Sequence, residues 1–277
     1  MNRTSHPILS MVVSRVGLGL LSLLIVSLVI FFSVSLLPGS YASAILGQNA
    51  TPEAVAAMTE KLGLNEPAIW RYLAWLGAAA TGDLGQSFAG RPVMMVLGPR
   101  LLNTITLAAV TAVIAVPLAI MLGVICARFR GRFIDRFLST STLASISLPE
   151  FFVAYIVMMV FAVKLQWFPS MAGIRSSMDF GEQLYRMVLP ILTLLLVILA
   201  HMVRNTRAAI LSVMASPYVE MARLKGESEG RVVMRQALPN AIGPIASVVA
   251  LNLAYLISGV VVIEVVFVYP GVGQAMI

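Results

Sequence analysis

The charges of this chain fall in clusters, and the stretches between the clusters are long and apolar. No Asp, Glu, Lys or Arg occurs in Val16–Ala50, Leu101–Ala127, Met187–Val203 or Gln236–Ile263, and a fifth stretch, Phe137–Val163, is broken only by Glu150. A helix needs roughly 20 apolar residues to cross the hydrocarbon of a bilayer. The pattern therefore predicts five spans, near 14–37, 101–126, 137–163, 187–205 and 242–266. Prolines 117, 149, 190 and 244 punctuate four of them. Membrane helices tolerate such breaks where neighbours satisfy the freed backbone groups, so the bundle is one that bends or encloses something. No repeat with a period of roughly 20–50 residues recurs.

Two segments outside the spans carry order of their own. In 38–99, "TPEAVAAMTEKLG" sets Thr51 as N-cap, Pro52 at the first helical position and Gly63 as a stop. "NEPAIWRYLAWLG" predicts a second helix from Asn65 to near Gly77, whose Trp70, Tyr72 and Trp75 suit the headgroup level. Between the fourth and fifth spans, 216–240 reads as helix, turn, helix. Tyr218, Val219, Met221, Ala222 and Leu224 form one apolar face, and Gly226 supplies a left-handed turn. Ser228 caps a second helix, on which Glu227, Arg231 and Arg235 follow at four-residue spacing. Such a knuckle can transmit a push into the two spans it joins, or merely fix topology with its charges.

Composition agrees with a membrane protein. Of 277 residues 59% are hydrophobic and 11% charged, where a soluble domain has about 25% charged; mean hydropathy is +0.93. The first span is too long for a signal-peptide core and lacks a close cleavage site, so it is read as retained. The net charge of +7 does not indicate nucleic acid, because the basic residues sort by side. Alternate connections hold Arg128, Arg130, Arg132 and Arg136, then Arg204, Arg207, Arg223, Lys225, Arg231 and Arg235; with Arg3 and Arg15 these are twelve of the nineteen. The segment 38–99 has Lys61, Arg71 and Arg91 against Glu53, Glu60, Glu66 and Asp83. The positive-inside rule then places the amino terminus and both Arg-rich loops in the cytoplasm.

The sequence offers little enzyme chemistry. There is no G-x-x-x-x-G-K-[ST] phosphate loop, no Cys/His cluster for a metal, and the two histidines, His6 and His201, sit among no acids. The chain is expected to be non-catalytic and to hold no cofactor or metal itself. Cys126, alone in an apolar run, is read as packing, and His201 as packing or an interfacial hydrogen bond. Arg204 and Arg207 are expected to snorkel to the headgroups. Glu150, midway along the third span, either lines a path or pairs with a base on a neighbouring subunit. Glu264 lies roughly 33 Å along the fifth helix, near the outer surface, where a solvated or gate-pairing carboxylate costs little.

The hairpin resembles a family signature. Membrane subunits of binding-protein-dependent ABC importers carry a cytoplasmic EAA motif: EAA, three residues, Gly, nine residues, Ile-x-Leu-Pro. Here Glu220-Met221-Ala222, Gly226 and Leu238-Pro239 stand at the matching distances, with Met221 for the second Ala and Gln236 for the Ile. "LLPGS" (36–40), "ATPEAVAAMTEKLGLNEP" (50–67), "GDLGQSF" (82–88), "RLLNTITLA" (100–108), "SLPEFF" (147–152), "RNTRAAILSVMASPYVEMARLKG" (204–226) and "IEVVFVYPGVG" (263–273) are similar, in order, to blocks of the dipeptide/oligopeptide branch.

The resemblance implies one all-α transmembrane domain of the type I ABC importer class over 1–277, multi-pass in a bacterial inner membrane. Five spans of an expected six are present; "YPGVGQAMI" is where relatives turn toward the last helix, so a truncation after Ile277 is expected. It further implies import of di- or oligopeptides by alternating access. Nickel complexes, glutathione or another small solute stay open as cargo, and a non-energised receptor or scaffold stays open as a different class. Expected partners are a second permease, two ATPase subunits that bind ATP and Mg, and an external solute-binding protein. Glu220, Ala222, Gly226, Leu238 and Pro239 would contact or fix the coupling to the ATPase, and Glu150 and Glu264 are candidates for the path or gate.

Overall fold

The computed structural model describes residues 7–36, 41–47, 50–61, 63–87, 90–175 and 178–277. Arg3, His6, the 37–40 part of "LLPGS", Leu62 and Phe88 lie outside them. The described residues form helices, with a single isolated bridge pairing Gln86 and Pro92. The chain divides into two compact units, Met1–Val96 and Leu97–Ile277.

In the first unit α1 (Pro7–Ser35) is apolar on all sides, and none of its apolar window is buried. A helix hydrophobic all round belongs in a membrane or a deep core. α2 (Tyr41–Leu46) and α3 (Pro52–Lys61) follow, with the Ala54 amide donating to Thr51 Oγ1 at 3.2 Å as an N-cap. α4 starts three residues later than the sequence suggests and runs past Gly77 (Ala68–Ala80). Pro67 explains the late start, because a proline disfavours helical backbone at the residue before it. Tyr72 is buried within the first unit. It is 2% exposed against α1, its hydroxyl 2.8 Å from Ser27 Oγ and its ring 5.4 Å from Phe31. Trp70 stays exposed.

The second unit is built round α8. α5 (Val93–Arg128) enters it from Leu97 onward, followed by α6 (Phe133–Ile146) and α7 (Glu150–Val157), the last continued by a π-helical turn to Lys164. α8 (Phe180–Met214) begins where Asp179 accepts from the Gly181 amide at 3.0 Å. Then come α9 (Pro217–Leu224), α10 (Glu229–Arg231), a π-helical stretch Val232–Ala237, α11 (Leu238–Val266) and α12 (Val272–Ala275). The long helices exceed the apolar runs by one to several turns, because hydropathy marks only the part inside hydrocarbon. Among the described residues four helices are long and apolar enough to cross a membrane, or five if the bent pair α6–α7 counts as one.

That pair corrects the third span. It is not one helix with Glu150 midway: α6 and α7 meet at 106°, and Glu150 opens the second piece. Pro149 has no amide to donate and pushes Leu148 out of helical backbone.

The core lies where α5, α7 and α11 meet α8, around Leu107, Ala154, Ile191, Leu194, Met202 and Val260. Lipid tails are as apolar as leucine, so close packing rather than burial drives such association. α5 meets this with a four-residue periodicity of buried positions, Leu107, Thr111, Ala115, Ala119 and Gly123. At Gly123 a Cβ would lie 2.6 Å from Thr206 Cγ2 and 3.3 Å from the Arg207 amide nitrogen. Gly123→Leu is therefore expected to destabilise the unit by about 2 kcal/mol through overpacking. Thermal unfolding of the detergent-purified protein checks it, with exposed Gly243→Leu as the control.

Candidate functional site: a hairpin, a clamp and a latch

One end of the second unit carries the charged hairpin. Ser216 and Pro217 start α9, and Gly226 turns the chain at φ +83°. The apolar face of α9 divides in two. Val219 and Ala222 turn inward onto Val232 and form a small buried cluster. Tyr218, Met221 and Leu224 point outward, 45%, 53% and 76% exposed. Their spacing of three puts them on one side of a helix.

The signature residues therefore separate. Glu220, Gly226 and Pro239 are exposed, Ala222 is internal, and Leu238 packs partly against Ala237, Ala241 and their neighbours. Ser228 precedes α10 without its hydroxyl capping it. The expected ladder from Glu227 through Arg231 to Arg235 does not form. Glu227 lies in the turn with a buried, unpartnered Oε2, and the π-helical stretch changes the register beyond Arg231. The ion pair that does form is Arg223–Glu229, 3.0 Å across the turn.

Behind the hairpin stands the Arg-rich loop before α6. A Cβ on Gly230 would lie 3.2 Å from Arg128 Cζ, so the guanidinium rests on bare backbone. Arg207 does not snorkel. It grips Asp135 with two bonds, 2.6 Å from Nε and 2.9 Å from an NH2 nitrogen, and the Gly131 amide donates to the same carboxylate at 2.8 Å. Asp135 is buried. Geometry of this forked kind is the strong form of an ion pair. Sequence reasoning missed it because the partners are 72 residues apart; an acid beside four arginines was the one available signal. Arg204 and His201 are exposed on α8, so His201 is not core packing, and Cys126 is buried and free.

At the other end of α11, Glu264 is fully buried rather than solvated. Thr104 Oγ1 donates to its Oε1 at 2.6 Å and the Gly273 amide donates to Oε2 at 2.6 Å. The same threonine oxygen accepts from the Val272 amide at 2.9 Å. Asn103 Nδ2 donates to Pro270 O at 2.9 Å, and Tyr269 Oη returns a bond to Asn103 O at 3.0 Å. Burial holds the Tyr269 phenol above its ordinary value, so it remains a donor. The "YPGVG" turn is thus latched to α5. Its glycines make room: a Cβ on Gly271 would run into the Glu264 carboxylate, and one on Gly273 would lie 2.7 Å from Val261 Cα.

Two outcomes follow. Thr104→Val leaves a buried carboxylate oxygen and the Val272 amide without their partner, and should cost about 3 kcal/mol, with Thr104→Ser restoring most of it. Asp135→Asn should cost a similar amount, about 3–5 kcal/mol, by stranding Arg207. Thermal unfolding of the purified protein reads both.

Residues 8–108 match the family described as binding-protein-dependent transport system membrane component, N-terminal, and residues 119–277 match the binding-protein-dependent transport system inner membrane component. A probable peptide ABC transporter permease of Sinorhizobium fredii is 35% identical over 91% of this chain and 81% of its own length. A putative peptide transport system permease of Brucella abortus is 34% identical over 97% and 86%. The glutathione transport system permease of Escherichia coli K12 is 33% identical over 97% and 86%. The chain therefore belongs to the inner-membrane permease subunits of binding-protein-dependent ABC importers.

Proposed function

We propose that this permease carries short peptides inward by alternating access, driven by ATP that two partner ATPase subunits hydrolyse with Mg. The amino terminus, the Arg-rich loops and the hairpin at 216–240 lie in the cytoplasm, and the segment 38–99 lies outside, toward the solute-binding protein. A second permease completes the pathway. Relatives named for peptides support the cargo. The glutathione permease supports a second cargo of related chemistry, since glutathione is itself a tripeptide with a free ammonium group.

The observation that carries the coupling is the outward strip of Tyr218, Met221 and Leu224 on α9. Water-exposed apolar side chains on an arm between two spans suit a groove on a soluble partner, read as helix anchors at three- and four-residue spacing. Glu220 and Gly226 flank that strip, while Ala222 acts by letting α9 pack on Val232. Leu238 and Pro239 fix the start of α11. Glu264 holds the outer latch, and Glu150 borders the path.

The test is the ATPase rate of the assembled transporter in proteoliposomes with loaded binding protein. Leu224→Asp or Gly226→Trp is expected to lower the stimulated rate about tenfold or more, as for loss of an interface anchor, with membrane abundance unchanged. Full stimulation in both variants would overturn the coupling. Competition between a labelled dipeptide and glutathione for uptake decides the cargo.

A further inference from the structure

Glu150 and Glu264 are both carboxylates of the membrane-embedded unit, and the fold treats them in opposite ways. Glu264 has built-in donors. Glu150 is half-buried, its Oε2 placed where a Cβ on Gly259 would come within 3.0 Å and its Oε1 within 3.4 Å, and it accepts no hydrogen bond from any described residue. No ion pair to it forms among the described residues. No Lys or Arg occurs on α5 between Arg100 and Arg128, on α8 between Arg186 and Arg204, or anywhere after Arg235.

The backbone beside it is unsatisfied in the same sense. At the break between α6 and α7 the carbonyls of Ser147 and Leu148 accept no hydrogen bond among the described residues, and Ser147, Leu148 and Pro149 are exposed. Irregular backbone at membrane depth is tolerated only where protein covers it or it lines a water-filled cavity. The carbonyl end of α6 adds negative potential. What collects here is a set of acceptors, a carboxylate and two carbonyls, with no hydrogen-bond or ion-pair partner among the described residues. Its complement is a cation with several N–H donors, and a primary ammonium has three.

From this we infer that the "SLPE" break is a cargo subsite, in which Glu150 and the Ser147 and Leu148 carbonyls take the free ammonium of the transported peptide. The assignment rests on the reading of the chain as a peptide permease and adds the part of the cargo that this subunit recognises. Gly259 serves it by letting the carboxylate lie against α11 without being displaced.

The experiment uses the complete transporter with Ser147→Cys, buried Cys126 remaining as the unreactive background. A cationic methanethiosulfonate should modify position 147 about tenfold faster than an anionic one, as expected for one nearby negative charge in a wet site. Glu150→Gln should bring the two rates to near parity, and Glu150→Asp should restore the difference. Dialanine, delivered by the binding protein during turnover, should protect position 147 in the Glu150 background and not in Glu150→Gln.

Equal rates for the two reagents with Glu150 present would overturn the subsite, because they would mean a neighbouring subunit's base already neutralises the carboxylate. Protection by dialanine that persists in Glu150→Gln would overturn it too. Failure of the peptide-import reading looks different: the parent transporter would neither import dialanine nor be protected by it, while the charge preference at position 147 persisted. In that event the cargo assignment falls with the reading, and only a cation-selective site remains.

Discussion

A peptide group inside hydrocarbon has no water to bond, and the shape of this chain follows from that constraint. Each spanning segment must close its own hydrogen bonds, so α5, α8 and α11 run about 30 residues or more without a loop. Polar side chains within them turn back on their own helix: Thr111 donates to Leu107 O at 2.8 Å and Thr193 to Leu189 O at 2.9 Å. Prolines 117, 190 and 244 stay inside continuous helices. Pro149 does not: it follows Ser147 and Leu148 at an exposed corner between two helices, whereas Pro190 is buried within α8.

The same constraint decides how the second unit can move. Asp135 is buried with both oxygens taken, so separating the start of α6 from α8 would expose an uncompensated charge at a cost of about 3–5 kcal/mol. Those two ends therefore travel together. Arg128, lying on Gly230, places the hairpin against the same loop. The hairpin's internal cluster of Val219, Ala222 and Val232 leaves it little room to deform alone, and α10 passes without a break into α11. At the corner 147–149 the backbone bonds close within each flank: Ser147 N donates to Leu143 O at 3.2 Å and Leu148 N to Ser145 O at 3.3 Å, while Pro149 O accepts from Phe152 N at 3.0 Å. α9 is joined to α11 through α10, and α8 to α6 through the clamp.

The helical class, the five apolar segments and the hairpin with its left-handed glycine are legible in the sequence, because each is written in local pattern. Hydropathy finds a span from its own residues, and Gly226 between Ser216-Pro217 and Leu238-Pro239 marks a turn without reference to anything distant. What stayed hidden depends on partners far along the chain. Nothing local to α4 marks Tyr72 as the partner of Ser27, 45 residues earlier. Arg207 looked like a snorkelling cation until Asp135 took it. An eight-residue helix such as α9 carries too few apolar positions to tell an inward pair from an outward strip. The four-residue pairing from Glu227 onward failed for a different reason: π-helical backbone shifts every later side chain, and composition does not announce it.

The two carboxylates show why depth is a poor guide to the role of a charge in a membrane protein. Glu264 was placed near water by counting residues along its helix, yet it is fully buried. Its burial is affordable because Thr104 and the Gly273 amide donate to it and because two glycines clear space for the turn that brings that amide in. Such a group is complete, and its energy goes into holding the "YPGVG" turn on α5. Glu150 lies against Gly259, which contributes room and no donor. A carboxylate that the fold accommodates but does not satisfy has its remaining free energy available to something that arrives. Sorting intramembrane acids by whether their donors belong to the same chain separates a fastening from a receptor, and here it does so within one helix bundle.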